Sequence, residues 1–429
     1  MTSTETLYQY FKTCKNVSTD TRNIPQDSIF FALKGPNFDA NTLAPQAIEK
    51  GAKFAVIDNP IFATNERFLL VPDVLKALQD LALWHRRTLK IPVLGLTGSN
   101  GKTTTKELLS VVLSKKYKIH ATKGNLNNHI GVPLTVLAID QNVEMAIIEM
   151  GANKQGDIKE LVEICEPTHG FINNVGKAHL EGFGGIEGVK KGKGELYDFL
   201  ANTGGTVFVN ASQDSLMEMA DARIFKEKII YQSPEFSNIV LKEEIPLVVF
   251  ETEDGQNYQS HLTGAYNFEN IATALCIGKY FGVSSVEAAQ AAAHYSPDNN
   301  RSQMIEKNGN YLLMDAYNAN PSSMAAAILN FSHLKADKKV VILADMYELG
   351  HEAPTEHAAL GKLVADCGFD TVLLLGNLMQ HALVHLPKAF YFPDKFGLHL
   401  WLHDHPMTNT HFLIKGSRGM KLESVLEVL

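Results

Sequence analysis

The chain has 429 residues, a length that favours two to four domains of roughly 100 to 200 residues each. Hydrophobic residues make up 45% of it and charged residues 20%, a globular composition that excludes a long disordered tail. The net charge of -8 argues against nonspecific binding to nucleic acid, although a local basic pocket for phosphates is still allowed.

The chain shows no pattern of export, disulfide bonding or membrane insertion. Its first residues lack the basic and apolar regions of a signal peptide, and no stretch approaches the ~18 apolar residues of a membrane span. The cysteines lie far apart without paired spacing, which indicates neither a disulfide framework nor a zinc ribbon. They are Cys14, Cys165, Cys276 and Cys367. We therefore expect a cytoplasmic protein without a membrane span.

Residues 1–85 carry the pattern of a small α/β domain. Apolar runs at 28–33 and 54–57 predict strands, and the Ala-rich stretch between them predicts a helix. Another helix is predicted from Val74 to Arg87, and the chain is expected to break close to 89–92.

The middle of the chain predicts a parallel sheet. Val93–Thr97 has the pattern of a buried strand that enters a glycine-rich turn, with a helix predicted from Lys106 to Leu113. Further apolar runs alternate with helical stretches, at 145–148, 171–172 and 206–209. A helix is also predicted from Asn270 to Phe281. The alternation from 247 to 262 predicts an antiparallel hairpin, which would make the sheet mixed.

From about residue 300 the strand and helix patterns alternate again. Strands are predicted at 311–314, 340–343, 371–375 and 411–414. This resembles a doubly wound domain, but Asp315-Ala316-Tyr317-Asn318 follows the first strand in place of the G-x-G-x-x-G run of a dinucleotide site. We therefore expect no nicotinamide cofactor.

The strongest local pattern is the run Thr97-Gly98-Ser99-Asn100-Gly101-Lys102-Thr103-Thr104. Glycines allow backbone N–H groups to converge on phosphate oxygens, a lysine can reach the β- and γ-phosphates, and a threonine hydroxyl can bind Mg²⁺. The match to the longer Walker A loop is partial, because Leu96 stands where that loop has glycine. The alternative is a turn that binds nothing. We favour nucleotide binding because the run joins a buried strand to a helix.

Two polar residues follow neighbouring predicted strands. Glu149 comes directly after 145–148, and His179 follows 171–172 in the chain. Ligands of open α/β sheets collect at such strand ends, and Mg-ATP needs carboxylate or imidazole ligands. Either residue alone would be an ordinary glutamate or loop histidine, and only their combination indicates a metal site. The basic run 189–195 predicts a solvated loop or a patch that attracts phosphate.

A segment with two histidines superficially resembles a zinc motif. His351 and His357 are six residues apart with Pro354 between them, whereas H-E-x-x-H places its histidines at i and i+4 on one helix face. We do not expect zinc there.

Taken in order, these motifs resemble the Mur ligase family, over essentially the whole chain. The family's shortened phosphate loop, T-G-x-x-G-K-T, is the form present at 97–103. The resemblance implies an α/β protein of three domains. Residues 1–85 would form a small domain that binds the UDP-substrate, 86–298 a P-loop-type ATPase domain with a mainly parallel sheet, and 299–429 a Rossmann-like domain that binds the acceptor.

The resemblance also implies roles for individual residues. ATP would be bound by Gly98, Ser99, Asn100, Gly101, Lys102, Thr103, Thr104, Asn267, Asn270, Arg301 and Asp315. Mg²⁺ would be bound by Thr103, Glu149, His179 and Lys193. The catalytic residues would be Lys102, Glu149, His179, Lys193 and Arg301.

Several runs resemble the members of the family that add D-alanyl-D-alanine. They are Asp315-Ala316-Tyr317-Asn318-Ala319-Asn320-Pro321 and the segments 345–350 and 415–420. Other ligases of the family usually carry histidine at the place of Asn318. The substrate-binding residues implied are Ser18, Asp20, Arg22, Lys34, Asn125, Asn127, Asn128, Asn318, Asn320, Asp345 and Arg418. Those of the acceptor pocket could instead cap helices or brace loops.

Lys193 lies fourteen residues after His179, the spacing at which related ligases carry a lysine carbamylated by CO₂. A carbamate would turn a cation into an anion able to help hold a second Mg²⁺. The alternative is an unmodified lysine that faces phosphate.

The implied reaction joins D-alanyl-D-alanine to UDP-N-acetylmuramoyl-tripeptide through an acyl phosphate, with ATP and Mg²⁺ as cofactors. We expect a monomer that binds no nucleic acid. The alternatives are a sister ligase that adds another amino acid, a folate polyglutamating ligase, and a nucleotide-binding switch that performs no ligation.

Overall fold

A computed structural model describes residues 1–429 and contains helices and strands in alternation along the whole chain. They form three successive units, named here the N-terminal, central and C-terminal units. Each unit has its own largely parallel sheet, which confirms the predicted α/β class. No helix has the length and apolar character needed to cross a bilayer.

The N-terminal unit runs from the first helix to the long helix before residue 90. Its elements are α1 (Thr4–Lys12), β1 (Asn16–Ser18), β2 (Ser28–Phe31), β3 (Lys34–Gly35), β4 (Phe38–Asp39), α2 (Ala44–Glu49), β5 (Phe54–Ile57), β6 (Phe68–Leu70) and α3 (Val74–Thr88). Strands β1, β2, β5 and β6 form a parallel sheet in that order.

The predicted boundary at residue 85 falls inside α3. This helix begins at a cap made by Asp73, whose carboxylate accepts a hydrogen bond from Lys76 N at 2.7 Å. Its buried residues Leu78 and Leu81 belong to the same apolar cluster as Val93 and Ile148 of the central unit. The N-terminal and central units therefore share part of one core, and the division at residue 85 stays a prediction.

The central unit carries the glycine-rich run. Its elements are β7 (Val93–Thr97), α4 (Lys102–Leu113), β8 (Ile119–Ala121), α5 (Gly131–Leu137), β9 (Met145–Glu149), α6 (Asp157–Cys165), β10 (His169–Ile172), α7 (Leu180–Phe183), α8 (Ile186–Thr203), β11 (Thr206–Asn210), α9 (Asp214–Asp221), β12 (Glu227–Tyr231), β13 (Val240–Glu243), β14 (Val249–Glu251), β15 (Asn257–Gln259), α10 (Ala265–Tyr280) and α11 (Ser285–His294).

The six-stranded sheet of the central unit has the order β12-β11-β10-β7-β9-β8, and every pair in it is parallel. The expectation of a mixed sheet is wrong. The predicted hairpin exists as β14 and β15, but it pairs with β13 in a separate antiparallel sheet. Because β7 lies between β9 and β10, the carboxyl ends of these three strands meet at the point where the strand order reverses, as in ligand-binding α/β sheets.

The C-terminal unit begins after α11. Its elements are β16 (Gln303–Lys307), β17 (Asn310–Asp315), α12 (Pro321–His333), β18 (Lys339–Ala344), α13 (Ala353–Cys367), β19 (Thr371–Leu375), β20 (Phe390–Phe392), α14 (Lys395–Asp404) and β21 (His411–Lys415). The sheet order is β16-β17-β21-β18-β19-β20, with only the edge strand β16 antiparallel. Apolar clusters cover both faces of this sheet.

Candidate active site

The glycine-rich loop between β7 and α4 can be built only with glycine at two positions. A Cβ at Gly98 would lie 2.7 Å from Asn173 Cβ, and a Cβ at Gly101 would lie 2.6 Å from Asn270 Oδ1. Gly101 also has a φ of 75° and precedes α4 without any side-chain cap. The first turn of α4, which begins at Lys102 and not at the predicted Lys106, therefore presents its positive end to a ligand.

Lys102 folds back over this loop. Its Nζ lies 2.7 Å from the carbonyl oxygen of Gly98 and 3.3 Å from that of Ser99. Burial lowers the pKa of Lys102, and Glu149 counteracts this effect. The lysine therefore lies above the start of α4, and its contact with the β- and γ-phosphates stays a prediction.

A network of buried amides supports the loop from behind. Thr105 Oγ1 lies 3.0 Å from Oδ1 of both Asn173 and Asn270, and Asn173 Nδ2 donates to Asn270 Oδ1 at 3.1 Å. Asn270 Nδ2 in turn donates to Asn267 Oδ1 at 3.0 Å. Sequence reasoning missed Asn173, although it directly follows β10 as Glu149 terminates β9.

Glu149 forms the acidic centre of the site. Its Oε1 accepts hydrogen bonds from Asn127 Nδ2 at 2.8 Å and from Thr103 Oγ1 at 3.3 Å. Its Oε2 is buried without any partner. A buried carboxylate oxygen without a partner is unfavourable, and a cation beside it would remove that cost. The carboxylate oxygen of Glu149 and the hydroxyl oxygen of Thr103 are ligands that suit Mg²⁺.

The two other predicted metal ligands are placed differently. His179 lines the same cavity, but its Nδ1 lies against Glu348 Oε2 of the C-terminal unit. Lys193 is 1% exposed, and its Nζ lies 5.5 Å from the ring centroid of Phe183. Burial, followed by the charge of Lys102, lowers the pKa of Lys193 well below its usual value.

The prediction that 189–195 forms a solvated loop is wrong, because these residues lie within α8. Glycine is required at two positions of this helix. A Cβ at Gly188 would overlap the carbonyl oxygen of Phe183, and a Cβ at Gly192 would overlap the Phe183 ring. Close packing of α7 against α8 therefore outweighs the low helix propensity of glycine.

The C-terminal unit contributes a second set of charges. The Arg301 guanidinium stacks on the Tyr317 ring, with its central carbon 3.8 Å from the ring centroid, and that of Arg418 lies 5.5 Å from the same centroid. Lys415 Nζ forms an ion pair with Asp315 Oδ2 at 2.5 Å. Lys415 belongs to the predicted segment 415–420 but was given no role of its own, although it ends the apolar strand β21 just as Glu149 ends β9.

Both units line one cavity of about 1030 Å³. The predicted residues that it brings together are Ser99, Asn100, Gly101, Lys102, Thr103, Thr104, Asn125, Asn127, Asn128, Glu149, His179, Asn267, Asn270, Arg301, Asp315, Asn318, Asn320 and Arg418. The cavity is large enough for a nucleotide and part of a second substrate.

The remaining predicted residues do not line this cavity. Asp345 accepts hydrogen bonds from the backbone N–H groups of Leu378 and Met379 at 3.0 and 2.9 Å, and burial raises its pKa. It therefore braces the 3-10 helix Leu378–Val384, and no contact supports its predicted place in the acceptor pocket.

The residues predicted to bind the uridine nucleotide lie in the N-terminal unit. Arg22 pairs with Asp20, with Nη2 2.6 Å from Oδ2, and Ser18 Oγ lies 3.2 Å from the Asp20 carbonyl oxygen. Lys34 Nζ lies 2.7 Å from Asp58 Oδ1. Their roles stay predictions.

Strand order, uncapped glycine loop and buried carboxylate together define a nucleotide-binding enzyme of the P-loop type. Residues 96–278 match the family model of the Mur ligase middle domain, and 300–396 match that of the Mur ligase glutamate ligase domain. The chain belongs to the Mur ligase family. It is accordingly an ATP-using ligase.

Similar proteins support this assignment over nearly the whole chain. UDP-N-acetylmuramoyl-tripeptide--D-alanyl-D-alanine ligase of Bacillus subtilis is 33% identical, covering 96% of this chain and 92% of its own length. The Escherichia coli ligase of the same name is 32% identical, with coverages of 96% and 93%. The structure of MurF from Acinetobacter baumannii is similar at 29% identity with a TM-score of 0.87, covering 99% and 98% of the two chains. MurF from Thermotoga maritima, in complex with ADP, gives 25% identity and a TM-score of 0.84, with 97% of each chain covered.

Proposed function

We propose that the protein joins D-alanyl-D-alanine to UDP-N-acetylmuramoyl-tripeptide at the expense of ATP, as the names of its relatives describe. The products are UDP-N-acetylmuramoyl-pentapeptide, ADP and phosphate, and the reaction belongs to the synthesis of peptidoglycan precursors. The observation that carries this proposal is the shared cavity. It brings the glycine loop of the central unit against Asn318, Asn320 and Arg418 of the C-terminal unit.

The chemistry proceeds in two steps that need positioning and charge neutralisation. An oxygen of the tripeptide's terminal carboxylate attacks the γ-phosphorus of ATP, the bond to the bridging oxygen breaks, and ADP leaves. The amine of D-alanyl-D-alanine then attacks the acyl carbon, loses a proton, and phosphate leaves with the electron pair. Lys102 and Arg301 stabilise the negative charge that is transferred in the first step.

Mg²⁺ is proposed to bind at Glu149 Oε2, the buried oxygen that has no partner within the protein. Thr103 and Asn127 hold the other carboxylate oxygen, and His179 lies on the same cavity wall. When bound, the cation would neutralise phosphate charge.

The C-terminal unit is proposed to close further over ATP, because Lys102 and Arg301 come from different units. Closure would exclude the water that hydrolyses an acyl phosphate. Small-angle X-ray scattering should show a smaller radius of gyration with a nonhydrolysable ATP analogue and the UDP-tripeptide than without ligands. An unchanged radius would contradict closure.

We place the reaction in the cytoplasm of the cell and in a monomer. The four cysteines are unpaired, and Cys165 and Cys276 are buried, as expected for a reducing compartment. The residues of this one chain line the cavity. We expect no nucleic acid to bind.

The decisive experiment measures phosphate release from Mg-ATP with UDP-N-acetylmuramoyl-tripeptide and D-alanyl-D-alanine, omitting each component in turn. We expect release only with all three substrates, and its loss in Lys102→Ala. Lys115→Ala is the matched control, because Lys115 is exposed and lies just beyond the other end of α4. Equal release with single amino acids or folate would instead indicate a sister ligase. If no combination of substrates gave turnover, the nucleotide-binding switch would explain the protein better.

A further inference from the structure

A carboxylate on α4, outside the cavity lining, binds the segment that connects the central and C-terminal units. Glu107 Oε2 accepts a hydrogen bond from Tyr295 OH, and Asn299 Nδ2 lies 3.1 and 3.0 Å from Glu107 Oε1 and Oε2. Tyr295 directly follows α11, and Asn299 stands two residues before Arg301. One side chain on the phosphate-loop helix thus holds both ends of the connection.

Glu107 accepts hydrogen bonds from Tyr295 and Asn299 without competition from a nearby cation. Burial and the Glu107 carboxylate raise the pKa of Tyr295, so its hydroxyl stays protonated and donates. The nearest cation, Lys106 Nζ, is 3.7 Å from Glu107 Oε1 but donates to the Thr122 carbonyl oxygen at 2.7 Å. Hydrogen bonds to a charged carboxylate are stronger than neutral ones, so this contact is well suited to fix the connecting segment.

The backbone around Arg301 needs such fixing. Asn300 and Ser302, on either side of it, have φ values of 57° and 50°, which L-residues rarely adopt. The Asn300 carbonyl oxygen accepts from Ala316 N at 3.0 Å, and Asn300 N donates to Gln303 Oε1 at 3.1 Å. A strained segment keeps its shape only where surrounding contacts determine it, and Glu107 supplies those on the side of the central unit.

We propose that Glu107 is a positioning residue that sets Arg301 against the phosphate loop. One rigid helix then determines both charges of the site. Lys102 stands in its first turn, and Glu107 holds the connection that presents Arg301. This inference rests on the role given to Arg301 in the proposed function.

The test compares Glu107→Ala and Tyr295→Phe with Glu218→Ala, an exposed glutamate of α9 that serves as the control. Misplacing a charge by about 1 Å costs up to ~100-fold in rate, so we expect kcat to fall roughly 10- to 100-fold in Glu107→Ala and less in Tyr295→Phe. The affinity for ADP should change by no more than about twofold, because the phosphate loop is untouched. Tyr295→Phe removes only a hydroxyl and keeps the test valid if Glu107→Ala folds poorly.

Coupling to Arg301 separates positioning from a merely structural role. Arg301→Ala removes the guanidinium, and its residual kcat is measured with and without Tyr295→Phe. If Tyr295 and Glu107 act through Arg301, the second change lowers kcat no further. Effects that multiply, or unchanged kcat in Glu107→Ala and Tyr295→Phe, would overturn the inference while Arg301→Ala still reports a defect. Wild-type kcat in Arg301→Ala itself would refute the proposed role of Arg301, and the inference with it.

Discussion

Asn320 Nδ2, at the start of α12, donates a 2.7 Å hydrogen bond to Asn100 Oδ1 in the glycine loop. The same asparagine caps α12, because its Oδ1 accepts from Ser323 N at 2.9 Å while Ser323 Oγ accepts from Asn320 N at 3.1 Å. A nearby contact joins the same two units, since Lys177 N donates to Ser322 Oγ at 3.0 Å. The start of α12 therefore docks the C-terminal unit onto the phosphate loop.

The two tasks of Asn320 can be separated by substitution. Serine also caps helices well but is too short to reach Asn100, whereas alanine can do neither. We expect Asn320→Ser to lower kcat about 3- to 10-fold, as for the loss of one neutral hydrogen bond. Its free energy of unfolding in urea should stay close to wild type, while Asn320→Ala should lose about 1 kcal/mol more. Equal kcat in Asn320→Ser and wild type would show that the contact with Asn100 has no role in turnover.

Carbamylation of Lys193 is a prediction that the structure makes testable. Because burial lowers the pKa of this lysine, a larger fraction of its amine is neutral and able to attack CO₂. We expect kcat to fall in CO₂-free buffer and to return with bicarbonate, and ¹³C-bicarbonate to give a carbamate NMR signal that is absent in Lys193→Arg. Lys191→Ala, at an exposed position of the same helix, should keep both. Turnover that does not respond to CO₂ would contradict the prediction.

The sequence predicted the inner strands of the parallel sheets, because these are short apolar runs largely buried on both faces. It did not predict the less buried edge strands β8, β12 and β20. Each of the predicted runs from Val93–Thr97 to His411–Ile414 lies in a strand. It predicted α8 poorly, since Gly192 and Gly194 in a basic run favour a loop. Only tertiary contacts explain these glycines, because a Cβ at Gly192 would meet the Phe183 ring and a Cβ at Gly194 would meet Arg223 Nη2. Local propensity does not contain such a contact.

The candidate site residues that the sequence indicated are those that lie in motifs or at the carboxyl ends of predicted strands. Glu149 follows from the rule that ligands collect at the carboxyl ends of strands, and the same rule applied to β10 and β21 would have found Asn173 and Lys415. Glu107 could not be found in this way. Its role depends on a contact with Tyr295, which is 188 residues away in the chain.

Acid is expected to destabilise the protein through His357. This histidine is buried, its Nε2 accepts from Met346 N at 3.0 Å, and its Nδ1 lies 2.7 Å from the Ala353 carbonyl oxygen. The ring is therefore neutral with its proton on Nδ1. Burial lowers the pKa of His357 below its ordinary 6.5, so below pH 6.5 the unfolded chain binds more protons than the folded one.

His357 should therefore not reduce the free energy of unfolding above pH 6.5. This free energy should fall as the pH drops below 6.5 and through the lowered pKa of His357. Urea unfolding at several pH values between about 7.5 and 5 measures the slope. We expect a shallower slope in His357→Gln and a wild-type slope in His351→Gln, where the histidine is exposed. The same slope in all three proteins would assign the acid sensitivity to other groups.

Gly101→Ala should strongly weaken nucleotide binding, through a clash in addition to backbone strain. A Cβ there would meet Asn270 Oδ1 at 2.6 Å and Asn173 Nδ2 at 2.7 Å, so the amide network or the start of α4 would have to move.

Gly255→Ala is the matched control, because Gly255 has a φ of 78° against 75° for Gly101 but open space where a Cβ would lie. The control should lose about 1 to 2 kcal/mol of stability from the left-handed backbone alone and still bind ADP. Gly101→Ala should lose more stability, and its ADP affinity measured by calorimetry should fall at least ~100-fold, since the phosphate loop depends on that network. Equal ADP affinities in the two variants would mean that the loop tolerates the side chain and that the amide network does not hold it in place.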